Sequence, residues 1–174
     1  VNRNFLSILF FFFLSVFSVE ASWEDAAILS ARLPELESLL FVGSFSEEEC
    51  ALFVSFFEEV EPLFFLENRA EEKPTGQVLL EKISEYAKEF PNKRQDLMLV
   101  DLNGDFRLLL KTLFALQGLA HERTLVLFKV VEGSRVHLPV WERCREKGVL
   151  EELGWWKDSQ GGCWREGRYL FHPL

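Results

Sequence analysis

The chain is poor in the residues on which most catalytic signatures depend. Its 174 residues include three cysteines, three histidines and one methionine. No CxxC pair occurs, which leaves a dithiol oxidoreductase or a zinc ribbon without a basis. The histidines His121, His137 and His172 form neither HxxxH nor HExxH, so no helical zinc site is indicated. No GxSxG elbow, P-loop or G-x-G-x-x-G fingerprint is present. From these absences we expect neither a cofactor nor a metal. Asp101, Asn103 and Asp105 alternate as the first ligands of a calcium loop do. However, Phe106 stands where the turn glycine belongs and Thr112 where the bidentate glutamate belongs.

Long hydrophobic runs are also scarce. Residues 5–19 form one charge-free stretch of fifteen, behind a single cation at Arg3. That is short for a spanning helix, which needs ~20 apolar residues, and suits the apolar part of a secretory signal. Val19 and Ala21 put small residues at the positions a signal peptidase reads. The expectation is therefore a signal peptide over 1–21, cleaved after Ala21, and a single domain over 22–174 that is periplasmic or secreted. Later apolar stretches are broken by charges such as Lys111 and Lys129, so no membrane span is expected after signal removal.

Bases are nearly missing from the first third. Residues 22–72 hold thirteen Asp and Glu against two Arg, whereas 73–174 hold fourteen acids against sixteen bases. With a net charge of −9, the chain repels phosphate backbones, which argues against nucleic acid as a partner. The same acidity, set beside seven phenylalanines in 22–72, fits a protein partner, and a basic one.

What is present reads mostly as helix. Ser22, with Glu24 and Asp25 behind it, can cap a first helix. Ser46 and Glu49 make a capping box, followed by Cys50, Phe53, Val54 and Phe57 on one face, until Pro62. A charged linker runs over 67–74. Thr75 opens an amphipathic helix through Phe90, with Leu79, Ile83, Tyr86 and Phe90 inward. Asn103 caps another through Ala120. The β-branched run 124–131 and the alternating 135–138 predict a hairpin, though 125–131 also suits a buried helix. Pro139 to Lys147 reads as a short helix stopped by Gly148. The tail, with Gly161, Gly162 and Gly167, reads as a small meander. The expected fold is mainly α, about five helices with a small C-terminal β-hairpin or meander, becoming α+β if that element is larger. Its parts are an acidic helical region over 22–72, central helices over 75–120 and a mixed aromatic-rich region over 124–174.

Two function classes follow. One is a small exported, non-catalytic protein-interaction or envelope-assembly domain. Its contacts would come from Glu47 and Glu48 and from the tail tryptophans Trp155, Trp156 and Trp164, unless those rings form a local core. The other is an exported hydrolase with a dispersed site, using His137 as base with Asp101 or Asp105. Export permits disulfides, and Cys144 with Cys163 is the pair closest in sequence, which leaves Cys50 as a buried small hydrophobe.

Overall fold

The computed structural model describes Leu33 and residues 35–57, 59–67, 75–157 and 162–171. The expected leader over 1–21, the Ser22 cap, His172 and most of the 67–74 linker lie outside these residues, as does the side chain of Thr75.

The described residues form an α/β sandwich, not a helical domain. Strand β1 (Ser38–Gly43) leads to helix α1 (Glu47–Val54) and strand β2 (Glu61–Leu66). Helix α2 (Thr75–Glu89) follows, then β3 (Gln95–Asp101), α3 (Phe106–Leu116) and β4 (Ala120–Val130). The chain ends with α4 (His137–Glu146), β5 (Leu150–Lys157) and β6 (Cys163–Tyr169). All six strands join one sheet in the order β2-β1-β3-β4-β6-β5. The first four run parallel, and β6 enters antiparallel between β4 and β5.

The mainly-α expectation fails on β1, β2 and β3. A parallel strand covered on both faces reads as an unbroken apolar run, with no alternation to mark it. Leu39 to Val42 and Leu97 to Val100 are such runs, and all eight side chains are buried. Pro62 does not end a helix. It sits in β2, an edge strand, where a missing N–H is tolerated. The run over 125–131 is not half of a hairpin but most of β4, while 135–138 turns into α4. A C-terminal hairpin is present, yet it extends the main sheet and is no separate appendage.

Alternation within the strands divides the core. Leu40, Val42, Met98, Val100, Val126 and Phe128 face α2, α3 and α4, whose inward residues include Ile83, Leu113 and Trp141. Leu39, Phe41, Leu97, Leu99, Leu125, Leu127 and Trp164 face the other way, where Cys50 of α1 joins them and Phe45, Phe53 and Phe57 pack alongside. The benzo edge of Trp141 reaches β6 because residue 167 is glycine: a Cβ there would stand 2.8 Å from the indole ring. Helix α1 starts on its capping box, with Ser46 Oγ accepting from Glu49 N–H and Glu49 Oε2 accepting from Ser46 N–H. Helix α3 is capped by Asp105, not Asn103: its Oδ1 accepts from Leu108 N–H at 2.8 Å.

The cysteines are all free, which corrects the expected pairing of Cys144 with Cys163. Cys163 opens β6, but Cys144 lies seven residues into α4, about 10 Å along its axis at 1.5 Å per residue. There it adjoins Tyr169, at the far end of β6. Burial pushes the thiols of Cys50 and Cys144 up to about 12, so neither is a thiolate nucleophile at neutral pH.

The beginnings of β1, β3 and β4 are pinned by one carboxylate. Asp96 Oδ2 accepts from Ser38 N–H at 2.9 Å, Ser38 Oγ at 2.8 Å and Glu37 N–H at 3.1 Å. Its Oδ1 accepts from His121 Nε2 at 2.8 Å, because His121 Nδ1 is itself an acceptor from Arg123 N–H. Partial burial pushes the Asp96 carboxyl upward, but these hydrogen bonds outweigh it and hold the group below the ordinary 3.8. A depressed folded-state value contributes stability above the ordinary aspartate range, which is lost as pH falls through the folded value. In acid-unfolding curves below pH ~4, Asp96→Asn should therefore flatten the dependence and lower stability at neutral pH. An unchanged acid limb would contradict this linkage. Gly43→Ala should destabilise the fold by about 2–4 kcal/mol in urea titration. It places a Cβ 1.8 Å from the Asp101 carbonyl oxygen, at a φ of +109°.

Candidate functional site

The four parallel strands end at one edge of the sheet. From β1 the chain moves outward to β2, then returns past β1 to β3 and β4. The strand order therefore reverses between β1 and β3, which opens a crevice above their carboxyl ends. In open α/β sheets that crevice is where ligands bind.

Gly43 and Asp101 are partners across this boundary. The turn after Gly43 is drawn tight by Ser44 N–H, which donates to Asp101 O at 2.8 Å. Glu67 follows the last residue of β2, and its N–H donates to Gly43 O at 2.9 Å. Three polar side chains then meet. Asn103 Nδ2 donates to Ser44 Oγ at 2.7 Å, and Ser44 Oγ donates to Glu67 Oε2 at 2.8 Å. The other oxygen, Glu67 Oε1, is buried and accepts no hydrogen bond. A buried carboxylate oxygen without a donor is costly, and at a crevice it marks a place where a ligand can supply one.

Charge continues along the edge. Asp101 Oδ2 pairs with Lys129 Nζ at 2.9 Å, joining the ends of β3 and β4, and Lys129 lies 5.8 Å from the centroid of Trp164. On the other side of the Gly43 turn, the first turn of α1 carries Glu47, Glu48 and Glu49.

The residues expected to act meet only in part. Glu47 and Glu48 are exposed at this edge. Trp155 is 58% exposed, beside the Arg165 guanidinium at 5.9 Å. Trp156 and Trp164 stack at 5.9 Å, and Trp164 is buried. Asp101 belongs to the edge, whereas Asp105 is committed to its helix cap. His137 is buried with both ring nitrogens engaged, to Ser134 Oγ at 2.6 Å and to Leu102 O at 2.8 Å. It is not a free base, which removes the hydrolase reading. Among the described residues no group of three or more His, Cys, Asp or Glu could hold a metal ion, and no helix is long and apolar enough to cross a membrane.

Glu67 and Ser44 were missed in the sequence, and Asn103 was read only as a calcium-loop position and a helix cap. The signal that could have found them is Gly43, at the end of an apolar run, with an acid following the next such run 24 residues later (67 − 43). The dinucleotide fingerprint spaces a glycine turn and a ribose-binding acid by about 20 residues.

No family model and no curated protein matches the chain in sequence. Solved structures do match it in shape. A putative O-methyltransferase from Klebsiella pneumoniae is 11% identical with a TM-score of 0.59, over 88% of this chain and 83% of that one. The O-methyltransferase from Bacillus cereus, solved in complex with SAH, is 9% identical with a TM-score of 0.58, over 90% and 86%. The protein-(glutamine-N5) methyltransferase from Alicyclobacillus acidocaldarius is 13% identical with a TM-score of 0.54, over 84% and 92%. This likeness in fold overturns the expected non-catalytic interaction domain and the hydrolase alternative, and the free thiols overturn the expected disulfide. The architecture is an α/β Rossmann-like methyltransferase fold.

Proposed function

We propose that the chain binds S-adenosylmethionine at the crevice between β1 and β3 and is a methyltransferase. The observation that carries this reading is Glu67. Its carboxylate stands after β2, next to a glycine turn, with one oxygen bonded to Ser44 and the other buried without a donor. A ribose presents adjacent hydroxyls, and a carboxylate in this position accepts from such hydroxyls in nucleotide-binding α/β folds.

Electrostatics choose among nucleotides. A dinucleotide needs its pyrophosphate at the start of the first helix, on free amides and a positive dipole end. Here that turn carries Glu47, Glu48 and Glu49, and the capping box already occupies the amides of Ser46 and Glu49. Those three carboxylates repel a phosphate. A nucleoside bearing a sulfonium is compatible with them, because its charge has the opposite sign.

The fit is close at the ribose and looser at the loop. Gly43 gives the tight turn, but Phe45 stands where a second glycine would let the backbone approach a ligand. Phe45 packs against Phe41 instead, at 5.4 Å between ring centroids. Glu67, Ser44 and Asn103 would hold the nucleoside. The donor supplies an electrophilic methyl group bound to sulfur. What the chain contributes is orientation, together with the Asp101/Lys129 pair that keeps a fixed dipole beside the crevice.

The test is calorimetric titration of the full chain with S-adenosylhomocysteine, with NADH as control. Binding of the first and not the second is expected. Glu67→Ala should weaken it roughly 10- to 100-fold, the loss of hydrogen bonds to a charged group. Absence of binding to the unmodified chain at millimolar ligand would refute the reading.

A further inference from the structure

We infer that His137, with Ser134, is a positioning residue that sets the β3 end of this site through the main chain of Leu102. The inference rests on the nucleoside-binding reading for its ligand, but its geometry stands on its own.

The loop after β3 supplies Asn103, whose amide donates to Ser44 and so orients the hydroxyl that serves Glu67. Something must hold this loop, because Asn103 is exposed and Gly104 has a φ of +149°. The hold comes from α4. His137 Nε2 lies 2.8 Å from Leu102 O, in a buried contact between elements 35 residues apart. A carbonyl oxygen only accepts, so the proton must be on Nε2.

Ser134 fixes that tautomer. Its Oγ already accepts from Val136 N–H at 3.2 Å and from His137 N–H at 3.4 Å. The hydroxyl hydrogen is therefore left for His137 Nδ1, at 2.6 Å. Nδ1 is the acceptor and Nε2 the donor, and only this assignment satisfies all four contacts. Phe128 of β4 packs beside the imidazole, with ring centroids 5.9 Å apart. One continuous chain of hydrogen bonds and one peptide link then run from α4 to the end of β2: Ser134, His137, Leu102, Asn103, Ser44, Glu67. Through this chain the connection between β4 and α4 governs how the nucleoside pocket is held.

Two measurements test this on the full chain. In nitrogen-15 spectra of the unmodified protein, the His137 ring should show the Nε2–H tautomer. His137→Phe keeps an aromatic ring against Phe128 but strips the donor from Leu102. It should shift the Asn103 side-chain amide signals and weaken S-adenosylhomocysteine binding about tenfold, the loss of one buried hydrogen bond. His137→Gln, which can still donate to Leu102 O, should restore the Asn103 signals and bring affinity back to within about threefold of the unmodified chain, a rescue that lost packing would not show. Observation of the Nδ1–H tautomer, or of unmoved Asn103 signals in His137→Phe, would overturn the inference. If the unmodified chain fails to bind S-adenosylhomocysteine, the nucleoside reading falls, while the tautomer and the Asn103 signals still decide whether His137 sets the loop.

Discussion

Much of this structure depends on the close approach of two backbones at the ends of β1 and β3. Residue 43 has room for hydrogen only, since the Asp101 carbonyl oxygen occupies the space of a side chain. That contact lets Ser44 N–H reach Asp101 O, which turns the chain away from the sheet and into α1. It also puts the hydroxyl of Ser44 between Asn103 and Glu67. Three strand ends thus converge on one turn, which seats Ser44 between the side chains of Asn103 and Glu67.

The two edges of the sheet do different work. At the strand beginnings, Asp96 gathers donors from β1 and β4 on its two carboxylate oxygens. Such a cluster ties the beginnings of the strands together. At the strand ends Glu67 keeps a buried oxygen without a donor, and the buried Asp101 pairs with the partly exposed Lys129.

The acidity of the first third takes on a particular meaning in this setting. Its carboxylates are not spread evenly: three of them crowd the first turn of α1, directly after the Gly43 turn. At a helix start they are favourable to the helix through its dipole. They also make the crevice hostile to phosphate, so the feature that helps α1 form also sets the electrostatics of the crevice.

Local chemistry made part of this legible in the sequence. The Ser46 capping box, the amphipathic helix behind Thr75 and the helix stopped before Gly148 are short-range patterns, and each forms near its expected place. The tail tryptophans were visible as a cluster, though not which of them would be buried. The parallel strands were not legible, because Leu39 to Val42 and Leu97 to Val100 are apolar at every position and carry no period to distinguish a doubly covered strand from a buried helix. Nor was the site. Ser44, Glu67 and Asn103 are ordinary polar residues in sequence, and His137 looks like a free base. Only the sheet order brings 43, 67 and 101 to one edge, and only α4, returning across β4, spends both nitrogens of His137 on Ser134 and Leu102. The sequence by itself determined which segments cap, turn and carry charge, since those depend on neighbours three or four residues away. Tertiary structure decided which strand ends lie side by side, because that depends on burying apolar faces contributed by residues some twenty to sixty positions apart.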